Sequence, residues 1–551
     1  MDRLKTIVVD LTPILPGGEN GGAKIFVLEL LRRLTQRFSQ TQFVLLTQAA
    51  SHDELATLDG PNVRRLQLIG PAQPASVKAQ LTRIGHYLLP RLPGRLRRIA
   101  AAIGYQLNTA LKRSKSGGLL QSLGADLLFC PFTAPTYFEA GIPTVCTLYD
   151  LQYKTYPEFF APEDAAHRHR AFIEACRRAT AIAAISDYSR ESAIRHGELN
   201  PENIRTIHLR MAQRITRDCS DTQEQRQLLE RLGLCSGRYL IFPANFWKHK
   251  NHEMLLTAFG IACRNGLPAD FKLVCTGSPG ERQQWMIRAA NSMGLADRVL
   301  FPGYLSNDAL SVLMSNACAM VFPSLYEGFG LPVIEAMAAG VPVACSNTTS
   351  LPEVAAGAAI LFDPRVPTQI ADAMVTLATD SDARVQLVEA GFDRAAEFAN
   401  VDRMASEYWD LFLYAAANVK HESLLTGAYV DGWAGPKLTI QTAPSETPQM
   451  VELEFSAPEW LPESKLTIRA TQRGKPFSAA AELVRGANLR WSLPVSPGEG
   501  VIYEISLSPT FVPAQSGQND DRRELSAILQ KCHITSSDGA AIELFPENSA
   551  A

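Results

Sequence analysis

The sequence predicts three domains: two doubly wound α/β domains followed by a β-sandwich. Two stretches of the chain each alternate short apolar strands with helical segments, which is typical of parallel sheets covered by helices on both faces. The last part instead has short alternating runs divided by Pro, Gly and Ser turns, which is typical of antiparallel β structure. A length of 551 residues agrees with several domains, because single cores rarely grow beyond about 250–300 residues.

The first α/β series begins with the strand TIVVD from Thr6, continues through a Pro/Gly loop and enters the helical segment AKIFVLELLRRL from Ala23. In that segment apolar residues recur at helical spacing. Further strands are predicted at QFVLLT, ADLLFCP, PTVCTLYDL and ATAIAAISDYS. We assign these elements to an N-terminal Rossmann-like domain, residues 1–220.

A polar stretch, CSDTQEQRQ from Cys219, separates this series from a second one. Its predicted strands are RYLIFPA, FKLVCTG, RVLFPGY, CAMVFPS and VPVACS, within a second Rossmann-like domain at 221–415. Two such sheets face each other across a cleft at the carboxyl ends of their strands, where ligands usually bind. The runs KLTIQTA, MVELEFSA, SKLTIRATQ, LRWSLPV and VIYEISLSP predict a β-sandwich accessory domain at 425–551.

Composition excludes some classes of function. Hydrophobic and charged contents of 46% and 20% are ordinary for a globular chain, and a net charge of −3 argues against nucleic-acid binding. The N-terminus MDRLKTIVVD has too short an apolar run for a signal peptide, and no apolar run approaches the roughly 20 residues of a membrane-spanning helix. Ten cysteines without a CxxC pair favour reduced thiols. These features predict a cytoplasmic chain.

One segment, residues 64–115, has an unusual charge. Eleven Lys or Arg residues and no acidic residue occur between Asp59 and Asp126, interleaved with apolar residues as in HYLLPRLPGRLRRIAAAIGYQL. Such a segment is either a solvated helical face or a surface for anionic lipid headgroups. We favour the lipid interpretation, which predicts contact with a membrane.

The stretch PSLYEGFGLPVIEAMAAGVP from Pro323 places two glutamates, Glu327 and Glu335, around a glycine-rich turn and a predicted helix start. Carboxylates can accept paired hydrogen bonds from a sugar or ribose diol, and a helix N-terminus favours a diphosphate. The spacing predicts Glu335 in the first helical turn. Capping alone is the alternative role for Glu335, but a capping box requires Ser, Thr, Asp or Asn where Gly330 or Leu331 stands.

This stretch resembles the donor-binding signature of family 4 retaining glycosyltransferases, which have the GT-B fold and two glutamates spaced E-x7-E. Four other stretches resemble the family in the same order: GGENGGAK, LYDLQYKTYPEFF, AISDYS and PANFWKHKNHEMLL. The resemblance covers about residues 1–415. It implies an N-terminal acceptor domain and a C-terminal nucleotide-sugar donor domain.

The resemblance also implies roles for individual residues. Glu335 would hold the ribose, Glu327 the hydroxyls of the transferred sugar, and Lys250 the diphosphate. The other implied donor-binding residues are Gly21, Gly22, Asn245, Lys248, Gly328, Phe329, Gly330 and Leu331. The implied catalytic residues are Glu327, Lys250, Asp150 and Tyr149.

Two positions depart from the family. Asn245 stands where many relatives have Arg, so Lys248 or Lys250 must supply the positive charge that stabilises the leaving diphosphate. The pair that usually reads His-Asp is here Tyr149-Asp150, and the Tyr149 hydroxyl would replace the imidazole as a hydrogen-bond donor.

No third carboxylate offers itself as a covalent nucleophile, and the resemblance implies retention by same-face attack, with the leaving diphosphate accepting the proton. We expect neither a metal nor a cofactor, since the nucleotide sugar is a co-substrate. The D-x-D sequence at Asp380–Asp382 is predicted to cap a helix. His249 and His252 lack an apparent third ligand and are predicted to serve in packing or phosphate contacts.

The stretches YPEFF and FWKHKNH resemble bacterial surface-polysaccharide mannosyltransferases. We therefore expect transfer of a hexose, with GDP-mannose as the first candidate donor, to a lipid-linked glycan in polysaccharide or O-antigen (lipopolysaccharide) synthesis. The chain would be peripheral to the inner membrane. The alternatives are a catalytically weak glycan-binding or assembly subunit on the same scaffold, and a nucleotide-sugar epimerase, which the E-x7-E signature disfavours.

Overall fold

The computed structural model describes residues 4–16, 21–70, 118–139, 141–197, 199–211, 223–419, 423–429, 431–498, 500–513, 523–537, 539 and 541–545. The chain forms two compact units. The first holds nearly all described residues up to Asn418, and the second holds those from Val419 onward. None of the helices among the described residues is long and apolar enough to cross a membrane.

The first unit contains a seven-stranded parallel sheet with strand order β3-β2-β1-β4-β5-β6-β7. The strands are β1 (Thr6–Asp10), β2 (Gln42–Gln48), β3 (Val63–Ile69), β4 (Leu127–Cys130), β5 (Thr144–Leu148), β6 (Ala181–Ala184) and β7 (Ile204–Thr206). The helices are α1 (Gly21–Arg37), α2 (Ala49–His52), α3 (Leu119–Ser122), α4 (Gln152–Thr155), α5 (Pro162–Arg178) and α6 (Asp187–Gly197). Strands β4, β5 and β6 are buried along their whole length, as expected for central strands covered on both faces.

The same unit contains a six-stranded parallel sheet with strand order β10-β9-β8-β11-β12-β13. Its strands are β8 (Tyr239–Pro243), β9 (Lys272–Thr276), β10 (Val299–Gly303), β11 (Ala319–Phe322), β12 (Val343–Ser346) and β13 (Ile360–Phe362). The helices of this part are α7 (Gln223–Arg231), α8 (His252–Arg264), α9 (Glu281–Ser292), α10 (Asn307–Ser315), α11 (Leu331–Ala338), α12 (Leu351–Ala355), α13 (Pro367–Thr379) and α14 (Ser381–Glu397). We call the parts around the two sheets the first half and the second half.

The last helix of the first unit, α15 (Val401–Ala417), returns to the first half. Its Tyr408 lies between the sheet and α1: the hydroxyl is 3.1 Å from Thr147 Oγ1, and the ring is 6.1 Å from that of Phe26. Phe412 of the same helix packs on Phe129 of β4 at a ring distance of 5.1 Å. The chain therefore crosses between the halves twice, and this second crossing helps to join them.

The second unit consists of two antiparallel sheets, β14-β15-β20-β17-β18 and β19-β16-β21-β22. The strands are β14 (Leu424–Ala428), β15 (Ala434–Gln441), β16 (Gln449–Ser456), β17 (Lys465–Gln472), β18 (Ser478–Val484), β19 (Asn488–Val495), β20 (Ile502–Ser508), β21 (Ile528–Ser536) and β22 (Ala541–Phe545). Alternate residues of strands from both sheets share one core, as in a β-sandwich. The predicted fold class is thus confirmed, whereas the exact domain boundaries remain a prediction.

Candidate functional site

The candidate site lies where the strand order of the second sheet reverses. Strand β8 has β9 on one side and β11 on the other, so the loops after β8 and β11 leave the sheet in opposite directions. Such switch points, at the carboxyl ends of parallel strands, are where open α/β sheets bind ligands. Lys250 follows β8 and Glu327 follows β11, and the fold therefore brings these two predicted residues together.

Lys250 and Glu327 form an ion pair. Lys250 Nζ donates to Glu327 Oε1 at 2.6 Å, and each side chain is only 12% exposed. The ammonium group also lies 5.3 Å from the centre of the Phe322 ring. A largely buried pair of this kind is screened little by water, so each group strongly influences what the other can bind.

The backbone around Lys250 is held by Asn251. Asn251 has a left-handed backbone (φ 63°, ψ 37°), and its Nδ2 donates to the carbonyls of Pro323 and Pro364 at 3.0 and 2.8 Å. The backbone carbonyl of His249 accepts a hydrogen bond from the Leu325 N–H at 2.7 Å. The turn that presents Lys250 is therefore tied to the loop that presents Glu327.

Helix α11 begins at Leu331, after Gly330 at the N-cap position with φ 109°. The prediction that Glu335 lies in the first turn is wrong, because Glu335 is the fifth residue of the helix and the first turn contains no acidic residue. Its side chain is 1% exposed. The helix ends at Ala338, and Gly340, with φ 70°, stands just after the C-cap residue, where glycine is common.

The loop before α11 touches the first half at Gly328. A Cβ atom added to Gly328 would lie 2.4 Å from the Tyr149 carbonyl oxygen, so only glycine permits this approach. Ser186 Oγ donates to the Gly328 carbonyl at 2.7 Å, and Ser189 Oγ donates to the Tyr149 carbonyl at 2.8 Å. The two halves are therefore in direct contact beside Glu327.

Tyr149 is held by the first half rather than extended into the cleft. Its hydroxyl donates to the Pro131 carbonyl at 2.9 Å, and its ring packs edge-to-face on Phe26. Burial raises the pKa of the Tyr149 phenol well above its usual range. In this arrangement the hydroxyl proton is already engaged and is not directed toward Glu327.

Asp150 follows Tyr149 and accepts a hydrogen bond from the Gln152 N–H at 2.9 Å. Burial raises the pKa of the Asp150 carboxyl, and the Glu327 carboxylate adds to the rise, while the charge of Lys250 acts in the opposite direction. Asp150, Glu327 and Lys250 are therefore electrostatically coupled.

The remaining predicted residues surround this group. Asn245 is not directed at a charge: its Oδ1 accepts from the Ser278 N–H at 2.8 Å, which fixes the loop after β9. Lys248 is exposed and lies two residues before Lys250. Phe329 is 3% exposed and packs on Phe398, so its ring is not available to a ligand.

The glycine loop of the first half lies close to the start of α11. Gly21 has φ 54°, and a Cβ atom added to Gly22 would lie 3.6 Å from Leu331 Cδ1. This position is compatible with the donor-binding role that the resemblance implies for Gly21 and Gly22.

A three-residue segment of hydroxyl side chains, Thr348–Ser350, follows β12 and was not predicted to belong to the site. Thr349 Oγ1 accepts from the Glu327 N–H at 3.1 Å, and Ser350 Oγ lies 3.0 Å from the Glu327 carbonyl. A signal was present in the stretch VACSNTTS, since polar residues that follow a strand next to β11 must lie at the same edge of the sheet.

One further cluster has ligand geometry for a metal. Asp187, His208 and Glu353 each place a ligand atom within 4.8 Å of the others. The Glu353 carboxylate already accepts from His208 Nε2 at 2.7 Å and from the N–H groups of Asp187 and Tyr188. These bonds cap helix α6 with a side chain from the other half, which accounts for the cluster without an ion.

Asp380 and His252 each have a structural role. Asp380 caps α14 by accepting from the N–H groups of Asp382 and Ala383. His252 is buried between Phe242 and Phe246, at ring distances of 4.7 and 4.6 Å, and burial lowers its pKa to about 3. His252 is therefore a neutral packing residue.

Comparison with known proteins agrees with this geometry. Residues 233–394 match the family described as Glycosyl transferases group 1. The chain therefore contains a group 1 glycosyltransferase domain, and that domain holds Lys250, Glu327 and Glu335.

Two relatives from Escherichia coli are similar in sequence. O-antigen chain mannosyltransferase B is 28% identical over 265 residues, covering 46% of this chain and 66% of that protein. Serotype-specific mannosyltransferase WbdA is 29% identical over 238 residues, covering 42% of this chain and 28% of that protein. The chain thus spans just under two thirds of the first relative and under a third of the second.

Among solved structures, that of Anabaena HepE in complex with UDP and glucose has a TM-score of 0.53 and is 17% identical, covering 74% of this chain and 98% of that chain. At this identity the likeness concerns the fold alone. Together with the two parallel sheets, it shows that the first unit has the GT-B fold.

Proposed function

We propose that this chain is a retaining glycosyltransferase that transfers mannose from GDP-mannose to a lipid-linked glycan in O-antigen or related polysaccharide synthesis. The observation that carries the proposal is the buried Lys250–Glu327 pair at the switch point of a group 1 glycosyltransferase domain. The two Escherichia coli relatives are both mannosyltransferases, which supports the sugar, and the first is named for the O-antigen chain, which supports the class of polysaccharide.

In this proposal each residue acts on one part of the donor. Lys250 binds the diphosphate and stabilises the charge that develops as it leaves. Glu327 accepts hydrogen bonds from hydroxyls of the transferred sugar, and Glu335 accepts them from the ribose. The acceptor hydroxyl attacks on the face that the diphosphate leaves, and the diphosphate takes its proton, so the anomeric configuration is retained. Positioning and charge stabilisation then supply most of the rate enhancement.

The donor is tested by thermal shift and turnover with GDP-, UDP- and dTDP-sugars. We expect GDP to raise the melting temperature of the wild type, since a ligand present at 100 times its dissociation constant stabilises a protein by about 2.7 kcal/mol. Glu335→Gln should lose most of this shift, whereas Glu389→Gln, on the exposed side of α14, should keep it. If no nucleoside diphosphate binds the wild type, the assignment of the donor site is wrong.

Retention and metal independence need separate measurements. Proton NMR of the first product formed should show the anomeric configuration of the donor, and inversion would contradict the proposed mechanism. EDTA should leave the rate unchanged. If EDTA stopped transfer and only a divalent cation restored the rate, metal independence would be wrong. The Asp187–His208–Glu353 cluster would then be the candidate metal site.

Membrane association rests on the basic segment, residues 64–115, most of which lies outside the described residues. Of its arginines, Arg65 is paired with Asp59 through two hydrogen bonds of 2.6 and 2.7 Å. We propose that the rest of the segment binds anionic lipid. Co-sedimentation with anionic vesicles should weaken as salt rises, and binding insensitive to salt or lipid charge would contradict the proposal.

A catalytically weak glycan-binding or assembly subunit is the second candidate, and the engaged Tyr149 hydroxyl favours it. The two candidates predict different effects of Glu327→Ala on glycan synthesis in cells. If the chain is only a scaffold, Glu327→Ala leaves glycan synthesis intact in cells, and loss of glycan with the variant still expressed and folded would eliminate this candidate.

A further inference from the structure

Thr349 has an unusual backbone conformation. Its φ of 56° places a β-branched residue in the left-handed region, where such side chains are genuine outliers. Residues held in this way tend to occur at functional sites, because the surrounding structure must compensate for the strain. Thr349 is next to the predicted donor site, so its contacts indicate what the strain achieves.

Those contacts all lead to the loop that presents Glu327. Thr349 Oγ1 accepts from the Glu327 N–H, and the buried Ser350 Oγ lies 3.0 Å from the Glu327 carbonyl and 2.9 Å from the Phe329 carbonyl. Both backbone polar groups of Glu327 therefore end on hydroxyls of the segment after β12. The Glu327 side chain is left to contact Lys250 and a ligand.

The left-handed backbone explains why this residue is suited to the task. Its two neighbours donate to carbonyls of the loop: Thr348 to the Leu325 carbonyl at 3.4 Å and Ser350 to the Glu327 carbonyl at 3.0 Å. Thr349 alone of the three supplies an acceptor to an N–H group of that loop. The Thr349 hydroxyl accepts between two hydroxyls that donate, so the backbone of the segment must turn sharply at Thr349. A left-handed conformation permits such a turn.

We propose that Thr349 is a positioning residue for Glu327: its hydroxyl fixes the Glu327 backbone so that the carboxylate meets the hydroxyls of the donor sugar. The effect on the sugar rests on the proposed function, whereas the effect on the loop does not. Loss of the hydroxyl should loosen the loop and weaken binding of the sugar part of the donor. Binding of the diphosphate through Lys250 should not weaken.

Two substitutions separate positioning from stability. Thr349→Val keeps the shape and the strain but removes the acceptor, whereas Thr349→Gly removes the acceptor and relieves the strain. Both should impair sugar binding to the same degree although Thr349→Gly is the more stable. Thr349→Ser should restore wild-type behaviour. Ala356→Gly, which relieves a left-handed residue (φ 42°) at the end of α12, is the matched control and should change stability only.

The first measurement is hydrogen exchange at the Glu327 amide in the full chain, with the strand β8 amides as an internal reference. We expect exchange about tenfold faster in Thr349→Val and Thr349→Gly, the effect of losing about one hydrogen bond. Unchanged exchange overturns the inference, whatever the chain binds.

The second measurement is calorimetric titration with GDP and with GDP-mannose. The dissociation constant of GDP-mannose should rise about tenfold in both variants, while that of GDP should not rise. An equal loss for both ligands overturns the positioning role. If GDP-mannose does not bind the wild type at all, the proposed function fails, and the exchange experiment still decides whether Thr349 holds the loop.

Discussion

The Lys250–Glu327 pair allows a prediction that a merely structural ion pair would not give. Glu327→Gln should bind a bare nucleoside diphosphate more tightly than the wild type, while transferring sugar far more slowly. In the unliganded protein the ammonium group of Lys250 is already neutralised by Glu327 at 2.6 Å. A diphosphate must therefore compete with Glu327 for Lys250, and the substitution removes the competitor.

The size of the effect follows from the geometry. A hydrogen bond to a charged group contributes about 1.5–3 kcal/mol. Both side chains are only 12% exposed, but the amide oxygen introduced by Glu327→Gln can still accept from Lys250 Nζ, so we take the lower end. Since 1.4 kcal/mol is a factor of ten in affinity, binding of diphosphate should tighten about tenfold. Transfer should fall by about 100-fold or more, as when one pre-positioned polar contact to the transition state is removed. The unliganded variant should lose about 1–3 kcal/mol, because Lys250 loses its partner.

The assay is calorimetric titration with GDP and UDP at two salt concentrations, together with initial rates of transfer. Glu389→Gln supplies the control, since it removes the same charge from the exposed surface of α14. Weaker or unchanged diphosphate binding by a folded Glu327→Gln protein would refute the competition between Glu327 and the diphosphate.

Three further predictions concern the contacts between the halves. Gly328→Ala should abolish most transfer activity, because the new Cβ would lie 2.4 Å from the Tyr149 carbonyl oxygen. The control Gly280→Ala places its Cβ where nothing lies within 4 Å and should be neutral. Steady-state kinetics measures the activity of both variants. Burial raises the pKa of Asp150 from 3.8, so the ionised carboxylate costs stability. Asp150→Asn should therefore raise the free energy of unfolding at pH 8, and the gain should vanish as the pH falls below 3.8. Burial opposes a low pKa for Glu353, but hydrogen bonds to its carboxylate lower the pKa from 4.5. Glu353→Gln should therefore cost about 1–3 kcal/mol of stability at pH 7 and progressively less below pH 4.5. Urea unfolding at several pH values measures the stability of the Asp150 and Glu353 variants.

Each of these has a clear contrary outcome. Normal kinetics in Gly328→Ala would show that the halves need not approach as closely as they do here. An Asp150→Asn protein less stable at pH 8 would mean that its partners more than offset the burial of the charge. A loss in Glu353→Gln that does not depend on pH would assign the effect to packing rather than to the carboxylate's charge.

The pairing of Lys250 with Glu327 was predictable because each follows a strand, and the two strands are neighbours. A sheet gathers the carboxyl ends of parallel strands at one edge, so residues 77 positions apart meet without any knowledge of the loops. The helix end at Gly340 and the cap at Asp380 were predictable for a local reason: the chemistry of a helix terminus depends on the few residues around it.

Other features depend on contacts that local patterns do not encode. Glu335 was misplaced because its helix begins at Leu331, so the residue is the fifth of the helix and lies just past the first turn. The return of α15 to the first sheet depends on Tyr408 and Phe412 fitting against β5 and β4, and an apolar helical face does not specify which sheet it covers. The role of Thr349 depends on a positive φ, which a threonine in a sequence does not indicate.

The departure at Tyr149 bears on the choice between an enzyme and a scaffold. Its side chain turns away to Pro131, but its carbonyl accepts from Ser189 and abuts Gly328, so the position still joins the two halves through its backbone. A Tyr in place of His at this position therefore leaves the donor site intact, because the contacts of that site come from Lys250, Glu327 and the segment after β12. If catalysis is weak, the defect should appear in the rate of transfer and not in the affinity for the nucleoside diphosphate. That separation is what the titrations and rates of the same variants measure.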